Sequence, residues 1–181
     1  MGTLQAGQFS PSALSPSIRR VFGSAGEAIL RNAGVDLYNW KITSMKESRP
    51  TLQDIEALTA FLPRLYAEGF SPIISWDGGE KLKDGSFTLP YPNYETVVEE
   101  FYRLVSSGGW LDYEYNPERA YQMLKDENLI KTASLSQIKT MLTFCVRGER
   151  FSDGHWAEMI EKGYIRWLLE RLNEIKSEQM K

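Results

Sequence analysis

Arg147, Glu149, Arg150, Asp153 and His155 fall within nine residues, and His155 is the only histidine in the chain. Two arginines so close could hold a carboxylate or a phosphate, because a guanidinium offers paired donors that match either anion. Asp153-Gly154-His155 also reads as the start of a helix. The unsatisfied N–H groups there carry positive potential. A histidine in that field favours its neutral form and can accept a proton. Arg147, Glu149, Arg150 and His155 are therefore the candidate anion or ligand site. The same residues have a structural use, which is favoured. Glu149 can pair with an arginine, Asp153 can cap the helix, and Phe151 and Trp156 can fill core.

Other groups carry less chemistry. Asp112 and Glu114 stand two apart and would share a face if they lay on a strand. Such a pair is common on a surface strand. Cys145 is the one cysteine and lies in the apolar run Leu142-Thr143-Phe144-Cys145-Val146. It reads as a small buried hydrophobe. One His and one Cys are too few for a zinc-type site, so no metal is expected. Neither a phosphate-binding loop, nor a dinucleotide fingerprint, nor a nucleophile elbow is present, and no cofactor is expected. Trp76, Phe87, Tyr91, Tyr94, Phe101, Tyr102, Trp110, Tyr113, Tyr115 and Tyr121 crowd the middle of the chain. They could line a ligand groove or a stacking platform. Packing within the core and sheet is the preferred reading.

Charge narrows the partners. Residues 51–130 carry six Lys/Arg against fourteen Asp/Glu, while residues 131–181 carry nine against seven. A phosphate-backbone binder normally shows a basic footprint. Direct nucleic-acid binding is therefore not expected. No apolar run reaches the length of about 18 residues that a membrane helix needs. The opening residues lack the charged start and apolar stretch of a secretory signal. Ala6 leaves the myristoylation pattern incomplete. A single thiol suits a reducing compartment, so the expected location is cytoplasmic.

The elements that must position these residues follow from periodicity and punctuation. Residues 1–16 read as a loose arm. Ser17 could cap a weak helix that Gly34 ends, and Trp40 is a candidate anchor. Residues 1–50 thus form an arm with one weak helix, and residues 51–181 a single globular domain. Thr51-Leu52-Gln53-Asp54 predicts a capped helix; Pro63 must end or kink it. Phe70 to Trp76 and Ser86 to Leu89 predict a hairpin with a long polar loop. Asn93 is the expected cap of a helix over Tyr94–Val105, and Trp110–Tyr113 a third short strand. Asn116-Pro117 starts a helix to about Asn128, and Ser134 to Gln137 is a second capping box. Asp153 caps a short helix that Gly163 ends. The last helix runs from Tyr164 to about Lys176, with Ile165, Leu168, Leu169, Leu172 and Ile175 on one face. The fold class is α+β, mainly helical: helices packed around a small antiparallel sheet of two or three short strands.

From about Leu52 to Ile175 the chain resembles an uncharacterised prokaryotic family defined only as a domain of unknown function. Cys145-Val146-Arg147-Gly148-Glu149-Arg150-Phe151-Ser152-Asp153-Gly154-His155 carries the resemblance most sharply. Ile160 to Ile165, Leu169 to Leu172 and Leu89-Pro90-Tyr91 extend it. The resemblance implies a fold of this kind and no chemistry. The functional expectation is a non-enzymatic interaction or regulatory module. One alternative is a small enzyme or anion-binding protein using the Arg147–His155 cluster. Another is a DNA-binding regulator built on the helix–turn–helix outline of residues 134–162. Tyr164 and Trp167 lie off the apolar stripe of the last helix, which makes self-association or a protein partner an open expectation.

Overall fold

Thr51 opens the first helix by exchanging hydrogen bonds with Asp54. Its hydroxyl accepts from the Asp54 amide (3.2 Å), and the Asp54 carboxylate accepts from the Thr51 amide (2.7 Å). This is the first element of a computed structural model that describes residues 49–180. The expected arm, the helix from Ser17 to Gly34 and the Trp40 anchor lie outside the described residues. Helix α1 (Leu52–Thr59) buries Ile55 and Leu58. The chain breaks helix before Pro63, which sits in the first turn of the one-turn α2 (Leu62–Leu65). Proline is tolerated there because the first N–H groups of a helix have no partner to lose.

Strands β1 (Ile73–Asp77) and β2 (Tyr91–Tyr94) pair antiparallel, with Ser75 opposite Asn93, Trp76 opposite Pro92 and Asp77 opposite Tyr91. The hairpin exists, but its returning strand lies later than expected. Ser86 to Leu89 contributes only a single bridge, Phe87 to Lys81. The ribbon beyond the strands is closed by backbone bonds from Gly79 to Thr88 and from Thr88 to Glu80. Gly78 is required in it: at φ 81° it is left-handed, and a Cβ would lie 2.3 Å from the Leu89 carbonyl oxygen. Asn93 belongs to β2 rather than to a cap. It donates to the Ser75 hydroxyl at 3.0 Å, and α3 (Thr96–Val105) starts after Glu95 without a side-chain cap.

Trp110 to Tyr113 is not a third strand. Gly108–Trp110 is a single 3₁₀ turn that buries Trp110. Helix α4 (Pro117–Leu124) is capped by Asn116, as its Asn-Pro start predicts, and stops earlier than expected. Asp126 accepts from the Leu129 amide at 3.0 Å and restarts the chain as α5 (Glu127–Lys131). Helix α6 (Leu135–Arg147) begins with the Ser134–Gln137 box. A 3₁₀ turn, Gly148–Arg150, leads to α7 (His155–Glu161), and α8 (Tyr164–Gln179) follows.

The last helix holds the core together. Ile165, Leu168, Leu169, Leu172 and Ile175 are all buried, and α8 packs against α1, α2, α5, α6 and α7. Each such side chain contributes roughly 1.5–3 kcal/mol of burial. Arg171 fastens α8 to the turn before α6 by donating from Nε to the Ala133 carbonyl (3.1 Å). The fold is mainly helical α+β. No buried core side chain comes from β1 or β2, so the sheet lies at the edge of the helical core rather than within it. Among the described residues, no helix is long and apolar enough to cross a membrane.

Candidate functional site

The start of α7 is where the sequence concentrates its polar residues. Gly154, not Asp153, is the residue before the helix. It is left-handed at φ 87° and has no side chain to offer. The capping role passes to Glu149. One carboxylate oxygen accepts from the Gly154 amide (3.1 Å) and from the Tyr94 hydroxyl (2.6 Å); the other accepts from the Trp156 amide (2.8 Å). The positive end of this helix thus has an anion already, and it is the chain's own. Burial, followed by the neighbouring Glu149 carboxylate, pushes the Tyr94 phenol well up, so it stays a donor.

His155 lies beneath that cap and is 7% exposed. Its ring packs against Gly148 so closely that a Cβ there would stand 2.2 Å from Nε2. The Phe144 ring meets it edge-on at 5.4 Å. Nδ1 lies 4.0 Å from Glu158, and among the described residues the buried Nε2 meets no hydrogen-bond partner of good geometry. Burial pushes the imidazole pKa down, while Glu158 and Glu149 pull it partly back. His155 is therefore held neutral and enclosed.

The two arginines do not join this pair. The Arg147 guanidinium lies over the rings of Tyr113 (5.8 Å) and Tyr115 (5.0 Å). Arg150 is exposed and meets no carboxylate among the described residues. The structure brings Glu149 and His155 together and places Arg147 and Arg150 elsewhere. Around them is a knot that sequence reasoning does not reach. Tyr102 stacks on Trp156 at 4.5 Å and donates to its carbonyl, and the Trp156 indole donates to the Val146 carbonyl.

The remaining candidates are also engaged. Cys145 is fully buried, and burial pushes its thiol up. Asp112 is not on a strand. It accepts from the Thr140 hydroxyl at 2.7 Å, and its amide donates to Thr143. Among the described residues, no three His, Cys, Asp or Glu side chains converge as a metal site requires. The aromatic middle divides. Phe101, Tyr102 and Trp110 are core, whereas Trp76, Phe87 and Tyr91 stand exposed on the ribbon.

That ribbon is the surface the sequence reading missed as a unit. Ile74, Trp76, Leu82, Phe87, Leu89 and Tyr91 are all exposed, with Leu89 at 82%. The available signal was the spacing of Phe87, Leu89 and Tyr91, which alternate as they must to share a face of extended chain. Pairing sets Trp76 opposite Pro92 and Tyr91 opposite Asp77, so Trp76 and Tyr91 stand on opposite faces of the ribbon. Trp76 also touches the α7 start, its ring lying 3.0 Å from where a Cβ of Gly154 would be. A groove of about 480 Å³ separates β1 from α7 there, lined by Ile73, Ser75, Gly154 and Ala157 with Asp153 and Glu161 at its rim.

No curated protein and no solved structure is found to match the chain. Residues 50–178 match a family of unknown function. That span takes in every element described above except the last residue of α8, so the chain belongs to that family of unknown function (DUF6508).

Proposed function

We propose that this domain is a cytoplasmic, non-enzymatic interaction module whose working surface is the β1–β2 ribbon. One observation carries the reading: among the described residues, most of the exposed large apolar side chains lie between Ile74 and Tyr91. Scattered apolar residues on a surface are ordinary, but a concentration of them on one ribbon, here over both its faces, marks a contact site. Aromatic residues dominate the energetics of such contacts. None of these six side chains is buried in the core; from β2 it is Tyr94, at the far end of the strand, that packs against it.

A ligand or anion site built on Arg147, Glu149, Arg150 and His155 has less support, because Glu149 already fills the helix start and His155 is enclosed. A DNA-reading α7 also has less, since His155, Ala157, Met159 and Ile160 of its seven residues face the core. The test is capture from host lysate with wild type and with a Trp76→Ser/Phe87→Ser/Leu89→Ser variant. A partner held by wild type, lost by the variant and able to bind again as a purified protein is the expected result. Equal capture by both proteins overturns the ribbon as the working surface.

A further inference from the structure

The ribbon has a backbone edge that no strand among the described residues covers. Pro92 lacks an N–H, so its pairing with Trp76 is of the non-hydrogen-bonded kind, in which the backbone groups of both residues point away from the partner strand. The N–H and C=O of Trp76 therefore face outward from β1, and among the described residues no other backbone bond reaches them. An open edge of this kind is a template for one more strand. The same β1 forms one wall of the groove against α7. Its floor is apolar, from Ile73 and Ala157, and its rim is acidic. Glu158 on that rim is bridged by Lys162, but no cation among the described residues neutralises Asp153 or Glu161.

From this edge and rim we infer the partner's chemistry: an extended segment of another protein, alternating apolar with Lys or Arg residues, that adds to β1 as a third strand. The inference rests on the ribbon being an interaction surface. The backbone edge calls for an extended chain. The alternation follows from a strand sending successive side chains to opposite faces, so that one set turns toward α7, where its cations meet the acidic rim, and the apolar set turns to the ribbon's other face, the one that carries Tyr91. A second copy of this chain fits less well. Its own β1, Ile-Ile-Ser-Trp-Asp, brings Asp77 and no cation to the rim.

The experiment titrates the isotope-labelled full chain with two synthetic peptides, one alternating valine with lysine and one alternating valine with glutamate. The expected result is that the lysine peptide alone shifts the Ile74 and Trp76 amide signals and slows exchange of the Trp76 amide. Its affinity should fall on the order of tenfold in Asp153→Lys/Glu161→Lys, since a reversed rim repels the same peptide. Equal binding of both peptides, or shifts confined to other elements, overturns the inference. Concentration-dependent shifts at Ile74 and Trp76 without peptide overturn it in favour of a second copy. If the lysine peptide fails while the ribbon variant still loses its captured partner, this inference falls and the interaction reading stands. If capture is also unchanged, both fall.

Discussion

At residue scale, Glu149 and Arg150 are sequence neighbours with opposite fates. Glu149→Ala strands the Tyr94 hydroxyl and the amides of Gly154 and Trp156. Stranded, partly buried donors of that kind make a loss of about 2–3 kcal/mol the expected outcome in urea unfolding. Glu149→Gln should lose less, because an amide oxygen still accepts. Arg150→Ala should stay within about 0.5 kcal/mol of wild type. His155 sets a pH dependence. Its folded pKa is depressed by burial. The unfolded chain therefore binds the proton first, and stability is lost as pH falls below the ordinary histidine value of about 6.5. Thermal melts across that range should show the loss in wild type and a shallower one in His155→Gln. Gly148→Ala pushes a methyl into the imidazole and should cost about 1–3 kcal/mol. Adding His155→Ala should recover part of that cost, which a double-mutant cycle measures.

At element scale, α7 and α8 share a device. Each is preceded by a left-handed glycine, Gly154 or Gly163, and neither has a local side-chain cap. Each instead gives an early N–H to a distant side chain. Glu149 serves α7, and the Tyr66 hydroxyl accepts from the Arg166 amide of α8 (2.8 Å) while donating to the Ile160 carbonyl. The two glycines separate strain from crowding. Gly163 has open space around an added Cβ, whereas Gly154 has Trp76 at 3.0 Å. Both alanine variants should lose about 1–2 kcal/mol for the left-handed backbone, and Gly154→Ala should lose more. In a Trp76→Ala background the two should converge in chemical denaturation. This device also explains what could be read from the sequence. Thr51, Asn116 and Ser134 cap amides three residues ahead, so their helices were legible in order and start. Asp153 had the right type and place for a cap, yet the true acceptor for α7 lies seven residues before the bonded amide, and its other donor, Tyr94, lies 55 residues away. Local pattern cannot show such a partner. The sequence pattern likewise ends the returning strand at Leu89, before Pro90. Strand β2 instead runs over Tyr91–Tyr94 and includes Pro92, because the pairing geometry that tolerates a proline there appears only once Trp76 is opposite.

At the scale of the whole molecule, a helical core and a peripheral ribbon should differ in stability. Native-state hydrogen exchange should show α8 amides opening only with global unfolding and β1–β2 amides opening well below it, because the ribbon buries no core side chain. The helical class was legible because amphipathic stripes such as Ile165–Leu168–Leu172 repeat at helical spacing. The edge position of the sheet was not, since alternation shows that a strand has two faces without saying whether either is covered. The central place of α8 has a further consequence for how the protein is made. Its bond to Tyr66 spans a hundred residues, and its apolar face is the surface onto which α1 and α2 close. While the ribosome is still adding α8, Ile55, Leu58 and Leu65 have α3 beside them but lack the face of α8 that completes their cover. The earlier helices therefore emerge sticky and wait for α8, which makes the growing chain a client for holding chaperones until synthesis has passed Ile175.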